Sequence, residues 1–330
     1  MIAGKGVKIF FLFGFLFWVR LSSNASAAEL APLRASYSTV SGIFTPAWLA
    51  QDKGFFANYG LAVDLRFVAP SAATQSLLAR SLDIVMGGGE FIEAGLAGAR
   101  MVYIAGVANR VVLSLYAKSE IHALSDLRGK VVAALSPGST SDFLARILLQ
   151  EEGLVPGKDV KIIYLKSGPE ILAALTQGII DAGIISAPMT LKARKAGFRE
   201  AVNAGEKNIP MIHAGVATTT DFVKEHPDRA RAFLQGYLEG IKYAKSNAEE
   251  AMAVVGKYTK TTDREDLEET YRTFVKVWEK VPYVSAAAVQ TNLNFAKSPA
   301  AKTAKPEPFI DNSILAELER SGFINQLYQQ

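Results

Sequence analysis

The chain has 330 residues, 49% of them hydrophobic and 21% charged, and a net charge of +4; this suits one large or two medium globular units. There is no cysteine, and His122, His213 and His226 are the only histidines, which excludes disulfides, thiolate metal sites and cysteine nucleophiles and leaves no histidine pair at metal-ligand spacing. Lys5, Lys8 and Arg20 supply three of the net positive charges, so the rest of the chain is close to neutral and no basic surface for nucleic acid is implied.

Residues 1–27 are expected to be a cleavable signal peptide. Lys5 and Lys8 precede the apolar run "IFFLFGFLFWV" (9–19), and "ASAAE" (25–29) supplies small residues around a cleavage point after Ala27. The run is short of the roughly 20 apolar residues that a membrane span needs. An exported chain with no cysteine for a lipid anchor is expected in a Gram-negative periplasm.

Beyond the leader, short apolar runs alternate with stretches of helical spacing, the pattern of α/β sheets with parallel strands. One set lies at 33–38, 62–68, 82–87, 101–107 and 111–118, a second at 130–135, 161–165, 182–186 and 211–220. The two sets share a plan. Each goes strand, Ser/Gly loop, helix, "GL" (Gly60–Leu61, Gly153–Leu154), strand, helix, and then an aspartate, Asp83 or Asp181, that opens the next strand. Two similar lobes follow. After Ile212 the pattern becomes helical. Phe233, Leu234, Tyr237, Ile241 and Ala244 form one apolar stripe after Pro227, and this tail is expected to pack back on the first lobe. The stretch 297–308 reads as a surface loop.

Ligands of open parallel sheets bind beyond the carboxyl ends of the strands. In the first lobe that rule selects Tyr37, Ser38, Ser41 and Gly42, then Gly88, Gly89 and Glu90, with Asn109 and Arg110 in a later turn. In the second lobe it selects Ser136, Gly138, Ser139, Thr140, Ser141 and Asp142, then Ser186 and Pro188. Each has a plainer reading. Ser139, Thr140 and Ser141 suit a helix cap, Asp142 suits a helix dipole, and Gly87 to Gly89 suit a tight turn. The "SPGSTSD" loop lacks the lysine of a nucleotide-binding loop. No GxSxG elbow and no histidine near Ser41 or Ser139 offers a catalytic group. No catalytic residue, metal site or cofactor is expected.

The blocks "SYSTVSGIFTPAWLAQDKGFFANYGLAVDLRFV", "SLDIVMGGG", "LSDLRGKVVAALSPGSTSDFLARILLQEEGL" and "IIDAGIISAPMTLKARKAGFR" resemble the solute-binding proteins of ABC importers in the nitrate/sulfonate/taurine group. That group also includes binders of thiamine-pyrimidine precursors. The resemblance runs to "SILAELERSGFI" near the end of the chain. It implies an α/β, two-lobed type II periplasmic-binding-protein fold, with two mixed sheets flanked by helices, two hinge strands and a cleft between the lobes. The crossings are implied near Tyr116–Ser119 and Ile212–Ala217, giving a discontinuous first lobe (28–118 and 214–330) and a second lobe (119–213). Ligand contacts are implied at Ser41, Gly88, Asn109, Ser139, Thr140, Ser141 and Ser186. The implied function is non-enzymatic: a monomer closes on a small organic solute, anionic or hydrogen-bond accepting, and docks on a membrane permease with its ATPase subunit. Arg110 would add a counter-charge, whereas Glu90 would favour an amine or ring N–H. The alternatives are a ligand-sensing subunit of a signalling receptor or an enzyme on the same fold.

Overall fold

The computed structural model describes residues 1–4 and 29–329; the expected signal peptide falls largely outside the described residues. Among the described residues, ten strands form two five-stranded sheets. The first holds β1 (Ala31–Tyr37), β2 (Leu61–Phe67), β3 (Ile84–Gly87), β4 (Met101–Arg110) and β10 (Pro210–Thr219) in the order β2-β1-β3-β10-β4. The second holds β5 (Ser114–Ala117), β6 (Val131–Ala134), β7 (Lys161–Tyr164), β8 (Ala182–Ile185) and β9 (Arg199–Asn203) in the order β7-β6-β8-β5-β9.

The sheets repeat one plan. In each, the second strand in the row, β1 or β6, runs parallel to its neighbours on both sides. The fourth strand in the row is antiparallel to both of its neighbours. That fourth strand, β10 or β5, follows a strand of the other sheet in sequence, so the two crossings tie the lobes together.

The paired aspartates of the sequence echo have a common physical task. Asp83 accepts the backbone N–H of Arg34 at 2.7 Å and Asp181 accepts that of Val131 at 2.9 Å. Each also gives its own N–H back to the carbonyl of the same residue. Lys118 pairs with Asp181 at 2.9 Å and Arg34 with Asp83 at 2.7 Å. Burial alone would raise both carboxyls, but the bonds from Arg34 and from Lys118 and Val131 outweigh it and hold both below their ordinary value.

Sheet membership corrects the expected crossing points. Ser114, Leu115, Tyr116 and Ala117 pair with Ile185, Ile184, Gly183 and Ala182 of β8, so the chain leaves the first lobe at Val111–Leu113, not near Tyr116–Ser119. It returns through the short helix Ala204–Lys207, and all of β10 lies in the first sheet. The second lobe therefore begins and ends a few residues earlier than 119–213. The apolar run 111–118 is continuous in sequence, and alternation within it does not declare which sheet supplies its hydrogen bonds.

The tail returns to the first lobe. Phe233, Leu234, Tyr237, Ile241 and Ala244 on the helix Pro227–Ser246 are all buried in the same core as Phe44, Trp48 and Leu49. Two glycines allow this approach. A Cβ at Gly236 would meet the Phe56 ring at 2.6 Å, and one at Gly240 would collide with the Pro46 carbonyl.

Candidate ligand-binding cleft

The carboxyl ends of the parallel strands in both sheets face one cleft, whose empty space is about 490 Å³ with the open solvent at its mouth included. The first lobe contributes Ser38 and Thr39 after β1, Pro70 after β2, and Gly88 and Glu90 after β3. The second contributes Leu135, Ser139, Thr140 and Ser141 after β6, Gly168 after β7, and Ser186 after β8. Ile184, Ile185 and Leu113 add apolar wall, and His213 lines the cleft from β10.

The lobes touch across it. Ser186 donates to Ser41 at 3.0 Å, and the Gly42 N–H reaches the Ala187 carbonyl at 3.4 Å. Thr140 Oγ1 lies 3.2 Å from the carbonyls of both Ile212 and His213. The glycine run permits this closeness. None of Gly87, Gly88 and Gly89 has positive φ, so the tight-turn reading gives way to one of steric clearance. A Cβ at Gly88 would strike the Thr140 hydroxyl, and one at Gly89 would strike Asn292 and Phe143.

The "SPGSTSD" loop turns at Gly138, whose φ is +77°, a value that suits glycine. Ser139 caps the helix Thr140–Glu151 by accepting the Asp142 N–H at 3.4 Å, and donates to the Ser136 carbonyl at 2.7 Å. Ser141 accepts the Leu135 N–H at 2.9 Å. Its oxygen lies 2.9 Å from that of Ser139. Asp142 is fully buried and already served: it accepts from Gly138, Arg146 and Tyr164 at 2.9–3.0 Å. Its carboxylate also offsets the positive end of its own helix.

Two ionisable side chains line the cleft. Glu90 is 6% exposed. One carboxyl oxygen accepts the Gly88 N–H at 3.2 Å, and no cation pairs with it among the described residues. Burial raises its pKa to about 7. His213 is buried, and burial lowers its pKa to about 4. Its Nδ1 accepts the Val112 N–H at 2.9 Å, so the neutral ring carries its proton on Nε2.

Of the residues selected from sequence, the structure brings Ser38, Gly88, Glu90, Ser139, Thr140, Ser141 and Ser186 to the cleft. Ser41 and Gly42 lie beside it as inter-lobe contacts. The others are engaged elsewhere. Tyr37 packs edge-on against Trp48 in the core, ring centroids 5.4 Å apart. Gly89 faces Asn292 and Phe143, while Ser136 and Gly138 shape the loop behind Ser139. Asn109 clamps the Tyr283–Ser285 backbone at 2.8 and 3.0 Å. Arg110 donates to the Lys276 carbonyl at 3.0 Å and lines a separate surface recess, which removes the expected counter-charge. Pro188 leads into the helix Met189–Lys195. Sequence reasoning missed Thr39, Pro70, Leu113, Leu135, Gly168, Ile184, Ile185 and His213. Pro70 and Gly168 each open a helix after a strand, which the strand-end rule could have found; His213 arrives from the returning crossing strand, which it could not.

A family model described as NMT1/THI5 like matches residues 42–251. The chain is 21% identical over 235 residues to YtlA of Bacillus subtilis (strain 168), named as a candidate binding protein, covering 69% of this chain and 70% of that one. In structure it is similar to a protein from Bordetella bronchiseptica RB50, with a TM-score of 0.78 and 20% identity over 91% of this chain and 98% of the other. It is also similar to the periplasmic nitrate-binding protein NrtA from Synechocystis PCC 6803, with a TM-score of 0.69 and 16% identity over 89% of each chain. The same fold is shared with the desulfurization enzyme DSZB, at a TM-score of 0.62 and 15% identity over 88% of this chain and 99% of that one. The fold is thus the two-lobed periplasmic-binding-protein architecture, and fold alone does not separate binding from catalysis.

Proposed function

The chain belongs to the NMT1/THI5-like family, and from that premise we propose that it is the periplasmic solute-binding component of an ABC importer. The observation that carries this reading is the meeting of two equivalent sets of strand-end loops across one cleft, with Ser41–Ser186 and Gly42–Ala187 bridging the lobes. A small organic solute held between both sets stabilises the closed arrangement by its greater affinity for that state. The closed form then docks on a membrane permease, whose ATPase subunit drives import.

Binding without turnover fits the side chains. The Ser139 hydroxyl donates within its own loop, and the Ser141 oxygen accepts from the Leu135 backbone. The Nδ1 of His213 is occupied by the Val112 N–H, so no serine–histidine pair is poised for nucleophilic attack. Native mass spectrometry of the protein isolated under mild conditions tests the reading. A bound compound released chemically unchanged on unfolding is expected; conversion of that compound by the purified protein would overturn it in favour of an enzyme.

A further inference from the structure

The cleft combines an apolar wall with a single charged end. Leu113, Leu135, Ile184 and Ile185 offer hydrocarbon, and no Lys or Arg side chain lines the cleft among the described residues. Lys166 is exposed beside Gly168 and is not among the lining residues, and two further cations are used elsewhere. Arg110 reaches the Lys276 carbonyl and Arg146 is paired with Asp142. Against this stands Glu90, more than nine-tenths buried, held only by backbone N–H groups of Gly88 and of its own residue, with no cation paired to it among the described residues. Groups around it supply no positive charge. The Tyr103 hydroxyl donates to the Gly88 carbonyl, Thr140 donates to a backbone carbonyl, and His213 is neutral at physiological pH. An unpaired buried carboxyl costs stability, which a ligand supplying the missing cation would recover.

We infer that the cleft selects a compact organic solute with an apolar body and a protonated amine or amidine end that Glu90 receives, and that it rejects anions of the same shape. Above about pH 7, where Glu90 is ionised, an anionic group at this end would meet a carboxylate with no Lys or Arg among the lining residues. A cationic one makes a charge-assisted hydrogen bond in a partly dehydrated site, the setting in which such bonds are strongest. Because burial holds the Glu90 proton up to about pH 7, capture of a cation below that pH expels the proton to solvent. The inference rests on the reading of the cleft as a solute site, and its test separates the two.

Benzamidine and benzenesulfonate, matched in ring and opposite in charge, are titrated calorimetrically into the protein at pH 8, where Glu90 is ionised, and at pH 6.5 in buffers of different ionisation enthalpy. Benzamidine is expected to bind at both, with proton release at pH 6.5, and benzenesulfonate not to bind at pH 8. Glu90→Gln is expected to weaken benzamidine roughly ten- to a hundredfold and to abolish the proton release, which a merely structural role would not do. Binding of benzenesulfonate alone would overturn the charge selection while leaving a solute site in place. Unchanged benzamidine affinity and proton release in Glu90→Gln would overturn the role of Glu90. Binding of neither probe by protein that still releases a bound compound in native mass spectrometry would overturn the inference alone; binding of neither probe with no such compound would count against the solute site itself. The wild-type comparison stands even if the variant folds poorly.

Discussion

Glu90 and His213 face one cleft with opposite responses to pH. The folded protein holds the Glu90 proton up to about pH 7 against an ordinary 4.5, so it binds more protons than the unfolded chain between those values. Stability from this group falls as pH rises through that window and stays lost above it. His213 has the opposite sign. Its folded value of about 4 lies below the ordinary 6.5, so stability rises with pH across that range. The two trends offset one another between pH 4.5 and 6.5, and only the loss from Glu90 persists at higher pH. Glu90→Gln is therefore expected to be more stable than wild type at pH 8, on the order of 2–3 kcal/mol, and to gain stability from pH 4 to 6.5 where wild type is nearly flat. Urea unfolding across that pH range checks this; a variant no more stable at pH 8 would mean the ionised carboxyl is not a burden. Of the two residues, Glu90 was legible in the sequence as the group after a Gly-rich strand end. His213 was not, because its place depends on where the chain crosses between lobes.

Among the elements, the helix Pro227–Ser246 shows how packing can reverse a propensity rule. Replacing a helical glycine by alanine usually stabilises by about 1 kcal/mol. At Gly240 the added carbon would collide with the Pro46 carbonyl and lie 3.3 Å from Ala50. Gly240→Ala is accordingly expected to destabilise, by roughly 1–3 kcal/mol, as measured by thermal or urea unfolding; a stabilised variant would show that the two helices part easily. The apolar stripe of this helix was legible because a 3.6-residue period survives in any context. The equivalence of the two lobes was legible too, in the repeated "GL" and in Asp83 and Asp181, which pin the equivalent strands β1 and β6 of their own sheets. The sheet allegiance of Ser114–Ala117 was not. Four buried residues in a short strand fit either sheet, and only non-local hydrogen bonds decide.

For the whole molecule, the contacts between lobes extend beyond the cleft floor. Arg194 on the helix Met189–Lys195 pairs with Glu269, and Lys195 reaches Asp263 at 2.9 Å on the opposite side. Exposed pairs of this kind contribute little singly and are screened by salt, which suits an arrangement that must both close and reopen. The central claim is that a solute drives this closing. The absence of native cysteine allows spin labels at Ser71→Cys and Lys166→Cys, exposed residues beside Pro70 and Gly168 on opposite walls of the cleft. The most direct test is the distance between these labels in protein stripped by unfolding and refolding, before and after adding the small-molecule fraction of a cell extract. A shift from a long or broad distribution to a single shorter distance is predicted. A distribution unchanged by that fraction would contradict closure on a solute.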